Sequence, residues 1–176
     1  MDSTRPESIC VKKVKPKSAA YKPNYTIWDE MMASADQPLP VEKRTYQLSR
    51  MYEGLHALET AEKPTRDDWR CVSDTVNLIE TLVLEMGVCE DSDGLLDDAV
   101  QALAVAGNRH IKTGAPIRLD GKGIQAVRSI LKDYADLLEV LPARTMIRCH
   151  RLTEKRIHGI LTGKKKPHDV EIVNVG

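Results

Sequence analysis

The sequence contains no phenylalanine, and aromatic residues make up only 4% of it. A core built from such a chain must be aliphatic, and there are few rings to stack on the bases of single-stranded nucleic acid. No apolar run approaches the ~20 residues of a membrane-spanning helix, and no apolar signal segment follows Met1. We therefore expect a cytoplasmic protein that makes no contact with a membrane.

Recognisable catalytic and metal-binding patterns are also missing. The four cysteines form no C-x-x-C pair, so we interpret them as reduced thiols. The five histidines are scattered, and Gly121-Lys122-Gly123 lacks the spacing of a phosphate-binding loop. Asp91-Ser92-Asp93 lacks the remaining ligands of a calcium loop. We predict a non-enzymatic protein with no catalytic residues, no metal site and no cofactor.

Charge is abundant and is arranged in blocks. The whole chain is neutral, with 26 Lys and Arg against 26 Asp and Glu. Residues 67–98 carry ten carboxylates and one cation, a net charge of −9. Residues 143–170 carry eight cations and two carboxylates, +6, and residues 1–24 carry six cations and two carboxylates, +4. Such blocks indicate either charged partners or mutual attraction within the protein.

Apolar residues recur at helical spacing through the middle of the chain, which predicts an all-α fold. We expect an antiparallel bundle of four to five helices over residues 25–163, with sequential neighbours packed side by side. Thr26, Thr65 and Asp120 are suited to begin helices, and Gly87 and Pro142 to end them. The predicted helices are a short one over 26–34 and longer ones over 41–62, 65–86, 92–111, 121–141 and 143–161.

The two ends of the chain differ from this pattern. Residues 1–24 are basic and interrupted by prolines, which is typical of a flexible arm. Within the arm, Ile9–Val14 has the composition of a short strand, and Asp169–Val175 in the basic, strand-like tail 164–176 has it too. We hypothesise that these two segments pair, either within one chain or across a homodimer.

The segment Leu152–Pro167 resembles the second half of a helix-turn-helix domain of the phage-repressor type. The resemblance implies that Thr153 caps a recognition helix, with Lys155 and Arg156 facing the DNA groove. Phosphates would be contacted by further cations of the segment and its flanks. These are Arg151, Lys155, Arg156, Lys164, Lys165 and Lys166. The alternative is one continuous helix over 143–161 with a basic stripe.

The acidic block supports a different function. A rigid row of carboxylates can imitate nucleic acid and occupy a cationic groove on another protein. In this alternative, the chain is a protein-binding inhibitor of a host defence or transcription complex. Its contacts would come from Asp67, Asp68, Asp74 and Glu80.

Several short motifs between Thr65 and Leu138 resemble small helical proteins of proteobacterial prophages and mobile elements, some of which carry transcriptional-regulator labels. The motifs are Asp68-Trp69, Val76-Asn77, Ala99–Leu103 and Leu119–Ile124. The resemblance implies a mobile-element origin and no particular site residues. Our leading expectation is a regulatory protein of phage type that contacts nucleic acid through its basic C-terminal helix and tail.

Overall fold

A computed structural model describes residues 22–91 and 93–163 of the chain, and every regular element in these two ranges is helical. The all-α prediction is therefore confirmed for this part of the protein. Residues 1–21, the tail 164–176 and both predicted strands lie outside it. The helices are α1 (Ile27–Met32), α2 (Val41–Thr60), α3 (Arg66–Glu80), α4 (Leu95–Thr113), α5 (Gly121–Val140) and α6 (Ala143–Leu161).

The predicted helix starts are confirmed by hydrogen bonds at the first turns. The Thr65 hydroxyl accepts from the Asp68 backbone N–H, and the Asp68 carboxylate accepts from the Thr65 N–H, so both orphan donors are satisfied. The Asp120 carboxylate accepts from the Gly123 N–H at 2.6 Å. One start is wrong: α4 begins at Leu95 rather than Ser92, because Gly94 has a left-handed backbone (φ 67°).

Helix α3 lies at the centre of the fold and contacts α2, α4, α5 and α6. The apolar residues along one side of α3 are buried: Trp69, Val72, Val76 and Ile79. Leu82, just after the helix, is buried too, and Met86 is half-buried. The Trp69 indole N–H donates to the Leu103 carbonyl of α4 at 3.1 Å. Gly107 makes room for the indole, since a Cβ there would lie 2.9 Å from the Trp69 ring. Because other helices surround α3, few of its residues are exposed.

Sequential packing holds for α2 to α5, where each helix contacts the next. It does not extend to α6, whose main contacts are with α1, α3 and the turn after α3. Pro142 separates α5 from α6 by only two residues, and the chain changes direction there. The backbone N–H groups of Ala143 and Arg144 donate to the Gln37 and Ser34 carbonyls. These bonds direct α6 across the short α1 rather than alongside α5.

The helix α6 is continuous from Ala143 to Leu161, as in the single-helix alternative. The helix-turn-helix arrangement is wrong for this segment, because no turn interrupts the backbone near Arg151. Thr153 is consequently an interior helical residue and not a cap. Leu152 and the residues around it continue the helical hydrogen bonding without a break.

A π-helical turn, Thr81–Glu85, follows α3 directly. The Met86 N–H donates to the Thr81 carbonyl, five residues back, instead of four. The Asn77 carbonyl just before this turn accepts from the Thr81 hydroxyl at 3.1 Å and from the Arg156 guanidinium at 3.0 Å. The Asn77 carbonyl also accepts from the Thr81 backbone N–H, so the α-helical bonding persists up to the start of the π-helical turn.

Candidate functional site

The residues predicted to contact nucleic acid face different sides of α6. Thr153 and Arg156 are 4% and 2% exposed, so the prediction that Arg156 faces a DNA groove is wrong, and Thr153 is a buried interior residue. Arg151 is half-buried and forms an ion pair with Glu30 of α1. Lys155 is exposed. Lys164, Lys165 and Lys166 lie beyond the described residues.

Arg156 is the centre of an ion cluster that we call the buried ion cluster. Its members Arg156, Glu80, Thr81 and Thr153 are buried, and Glu85 lies at its solvent-exposed edge. The Arg156 guanidinium forms an ion pair with the buried Glu80 and a second one with Glu85, at 3.3 Å between Nε and Oε1. It also donates to the Thr81 hydroxyl at 3.3 Å. Thr153 donates in turn to the Thr81 hydroxyl at 2.6 Å. A buried charge of this kind is tolerated only when it is paired and hydrogen-bonded.

The cluster joins the two charge blocks of the sequence. Glu80 and Glu85 belong to the acidic block, and Arg156 belongs to the basic one. Mutual attraction, one of the two alternatives for the blocks, therefore operates within a single chain at this point. Its role is to fix α6 against α3 and the π-helical turn.

The four acidic residues predicted to contact a protein are also separated by the fold. Glu80 is buried in the ion cluster, so its predicted surface role is wrong. The Asp68 carboxylate is engaged in the cap of α3. Asp67 is exposed, and Asp74 is exposed beside Arg70 at 3.7 Å. These residues form no continuous acidic row.

A different group of carboxylates surrounds an open groove between α5 and the segment that follows α3. The groove has a volume of about 270 Å³. Its floor is apolar, with Ile79, Leu96 and Ile130 all at 5% exposure or less. Four carboxylates and the half-buried Cys89 complete the wall with Val83 and Leu137. We name this site the acidic groove, and its carboxylates are Glu90, Asp91, Asp133 and Asp136.

No lysine or arginine is among the residues that line the acidic groove. The negative potential of the rim is therefore not neutralised by the groove's own side chains. Burial and, to a smaller extent, the neighbouring Asp133 carboxylate raise the pKa of the Cys89 thiol. Cys89 is consequently a neutral thiol at physiological pH, and the site offers carboxylates and apolar surface rather than a nucleophile.

Sequence reasoning missed half of the acidic groove. Glu90 and Asp91 lie in the acidic block, whereas Asp133 and Asp136 lie on α5, outside that block. A signal was present: the two carboxylates are three residues apart and interleave with the apolar Ile130 and Leu137, so they border the buried face of an amphipathic helix.

A second cleft, of about 260 Å³, lies between α4 and the start of α5. It is lined by charges of both signs, and its cations are already used. Lys122 pairs with Asp98 at 3.0 Å, Arg109 donates to the Arg118 carbonyl, and Arg118 donates to the Glu62 carbonyl. The lining of this cleft thus carries charges of both signs, whereas the charged residues that line the acidic groove are all carboxylates.

Tyr25, just before α1, packs on the His150 ring of α6 with the ring centroids 5.3 Å apart. The other side of this imidazole meets the Gln47 amide, at 3.4 Å from Nε2. Burial lowers the pKa of His150 to about 4, because its charged form loses hydration there. The histidine is neutral at physiological pH and acts as a packing residue.

No protein-family model, curated protein or solved structure matches this chain. Within residues 22–91 and 93–163, no group of His, Cys, Asp and Glu is arranged to hold a metal ion. No helix in these ranges is long and apolar enough to cross a bilayer. The surface chemistry of the described part of the chain is thus the basis for a functional proposal.

Proposed function

We propose that this chain is a non-enzymatic regulatory protein that binds a basic, partly apolar segment of a partner protein in the acidic groove. The observation that carries the proposal is the combination of an apolar floor and four rim carboxylates with no lining cation. This is the protein-binding alternative drawn from the sequence, with a different set of residues. The predicted partner is a host defence or transcription complex.

The dimensions of the groove favour side chains of a peptide over a large cofactor. A volume of about 270 Å³ lies below the roughly 300–1,000 Å³ of typical small-molecule sites. Ile79, Leu96 and Ile130 would receive one or two aliphatic side chains of the partner. Removal of the partner's aliphatic side chains from water would supply most of the affinity.

The rim would supply orientation and speed of association. Carboxylates on both sides of an apolar strip favour lysine or arginine flanking an aliphatic residue. Because the rim is solvent-exposed, each such pair adds only about 0.2–1 kcal/mol and weakens with salt. The binding we propose is therefore moderate in affinity and sensitive to ionic strength.

A labelled peptide that alternates lysine with valine or leucine tests this directly. We expect it to bind the full chain, with NMR shift changes centred on Ile130, Leu96 and Val83. A peptide with glutamate in place of lysine should not bind, because the rim repels it. In Asp133→Asn/Asp136→Asn the affinity should fall about 2- to 30-fold, since two exposed charge pairs are lost.

The matched control is Glu42→Gln/Glu53→Gln, which removes the same charge from exposed positions on α2. It should leave the affinity nearly unchanged. Equal losses in the two double variants would show that only net charge matters, and the acidic groove would then not be the binding site.

A second function, contact with nucleic acid through α6, is favoured by one observation. Arg148 and Lys155 are both exposed, and a spacing of seven residues places them on the same side of the helix, two turns apart. Lys164–Lys166 follow the end of α6 in the sequence. We propose that these five cations are the phosphate contacts, in place of Thr153, Arg156 and Arg151.

Fluorescence anisotropy of duplex DNA at about 50 and 200 mM salt separates this function from the first. Each phosphate contact should steepen the log–log salt dependence by about 0.9. The variant Arg148→Glu/Lys155→Glu should bind less than Arg70→Glu/Lys132→Glu, whose residues lie on α3 and α5. Absence of binding at the lower salt concentration would remove this second function.

A further inference from the structure

We propose that residues 9–15 of the same chain occupy the acidic groove and that a partner must displace them to bind. This inference rests on the proposed function, because it assigns the regulation of the same groove. The occupied form would be an autoinhibited state of the protein.

Charge is divided between the described residues and the two ends. Residues 22–91 and 93–163 contain 18 Lys and Arg against 22 Asp and Glu, a net charge of −4. Residues 1–21 and 164–176 contain eight cations against four carboxylates, +4. The neutrality of the chain therefore comes from basic ends and an acidic body. A basic end is the chemically matched occupant for a groove whose rim is acidic.

Composition distinguishes the two ends. Residues 9–15 read Ile-Cys-Val-Lys-Lys-Val-Lys, with three lysines, no carboxylate and three β-branched aliphatic residues. In the other end, Lys164–Lys166 are followed by proline and histidine, and the aliphatic residues beyond them are mixed with Asp169 and Glu171. Only the first segment interleaves lysines with β-branched side chains without any carboxylate.

The length of chain ahead of the described residues permits this contact. The described chain begins at Lys22, and Tyr25 packs on His150 of α6. The eight residue steps from Val14 to Lys22 span up to roughly 26–29 Å. That length is comparable to the diameter of a small domain, about 30 Å.

Native cysteines allow a direct test in the full chain. Cys10 lies within the proposed occupant and Cys89 in the wall of the groove, while Cys71 on α3 is similarly half-buried but does not line it. Under mild oxidation we expect the Cys10–Cys89 cross-link, identified by peptide mass spectrometry in the monomer, to exceed Cys10–Cys71 about fivefold or more. Asp133→Asn/Asp136→Asn should reduce it, and Glu42→Gln/Glu53→Gln should not.

Release of the segment should expose the groove. In Lys12→Glu/Lys13→Glu/Lys15→Glu the alternating lysine peptide should bind about fivefold or more tightly than to the wild type, because a tethered competitor with an effective concentration near the millimolar range is removed. This variant changes no residue of helices α1–α6, and circular dichroism of the variant checks that the fold is retained.

The outcomes separate the two proposals. If the peptide binds with unchanged affinity in the lysine variant and the cross-links to Cys89 and Cys71 are equal, autoinhibition is wrong and the proposed function stands. If the Cys89 cross-link dominates but no peptide binds any variant, the segment occupies the groove and the partner-binding function is wrong. A Cys10–Cys89 cross-link found only in dimers would overturn the same-chain arrangement.

Discussion

Carboxylates gather in two regions of this molecule, and their surroundings are opposite. In the buried ion cluster, Glu80 and Glu85 meet the guanidinium of Arg156 within the same fold. In the acidic groove, four carboxylates surround an apolar floor and no lysine or arginine lines the site. We assign the exposed Glu90, Asp133 and Asp136 to binding. Asp91 also serves the fold, because its carboxylate accepts from the Leu96 N–H at 3.3 Å. Sequence charge alone does not distinguish these two roles.

Removal of the cation from the buried ion cluster should cost more stability than any other substitution considered below. Arg156→Met leaves Glu80 buried without its ion pair, and we expect the free energy of unfolding to fall by about 3–5 kcal/mol. Urea denaturation followed by circular dichroism measures this. The paired control is Arg151→Met, which breaks the more exposed pair with Glu30. It should cost about 1 kcal/mol or less.

A loss for Arg156→Met no greater than that for Arg151→Met would contradict the role given to the cluster. The variant Glu80→Gln gives a second test, because it removes the charge of the carboxylate but keeps a hydrogen-bond acceptor. Its amide oxygen still accepts from Arg156, so the loss should be smaller than that caused by removal of the guanidinium.

The second prediction concerns pH. His150 has a pKa of about 4 in the folded protein and about 6.5 when unfolded. The unfolded state therefore binds more protons between these values. The stabilisation is complete above about pH 6.5 and is lost as the pH falls towards 4. Wild type should lose about 1–3 kcal/mol more than His150→Gln over this range.

Thermal denaturation of both proteins at several pH values between 4 and 7 provides the measurement. The carboxylates that titrate in this range are common to both proteins and cancel in the difference. Parallel pH profiles for the two proteins would show that His150 does not contribute.

Substitution of two rim carboxylates of the acidic groove should change the stability of the fold least. Asp133→Asn/Asp136→Asn should change the free energy of unfolding by no more than about 0.5 kcal/mol, because exposed charges contribute little to folding. Relief of repulsion along the rim can even raise it slightly. The same double variant is expected to weaken peptide binding, so stability and binding would be separated at one site. A loss of several kcal/mol would instead make the rim a structural element.

The sequence predicted the helices because their signals are local. Thr65 and Asp120 begin helices through bonds to residues three positions away, and Gly87 ends the π-helical turn with a left-handed backbone. The continuous α6 was one of two open alternatives, since a basic stripe and a helix-turn-helix share the same residue types.

The sites were harder to predict because they join distant residues. Arg156 and Glu80 are 76 positions apart, and no local pattern marks one as the partner of the other. The acidic groove joins residues near position 90 with residues near 133. Charge blocks pointed to electrostatic contacts, but which members are buried depends on how α6 crosses α3.

The π-helical turn also bears on how this chain can change in length. Such a turn holds one residue more than an α-helical turn, so deletion of a single residue from Thr81–Glu85 would let the helix continue with regular four-residue bonds. Because the π-helical turn absorbs the extra residue, the side chains before and after such a deletion would keep their faces of the helix. A one-residue gap at this point in an alignment of homologues would therefore be compatible with both the ion cluster and the acidic groove.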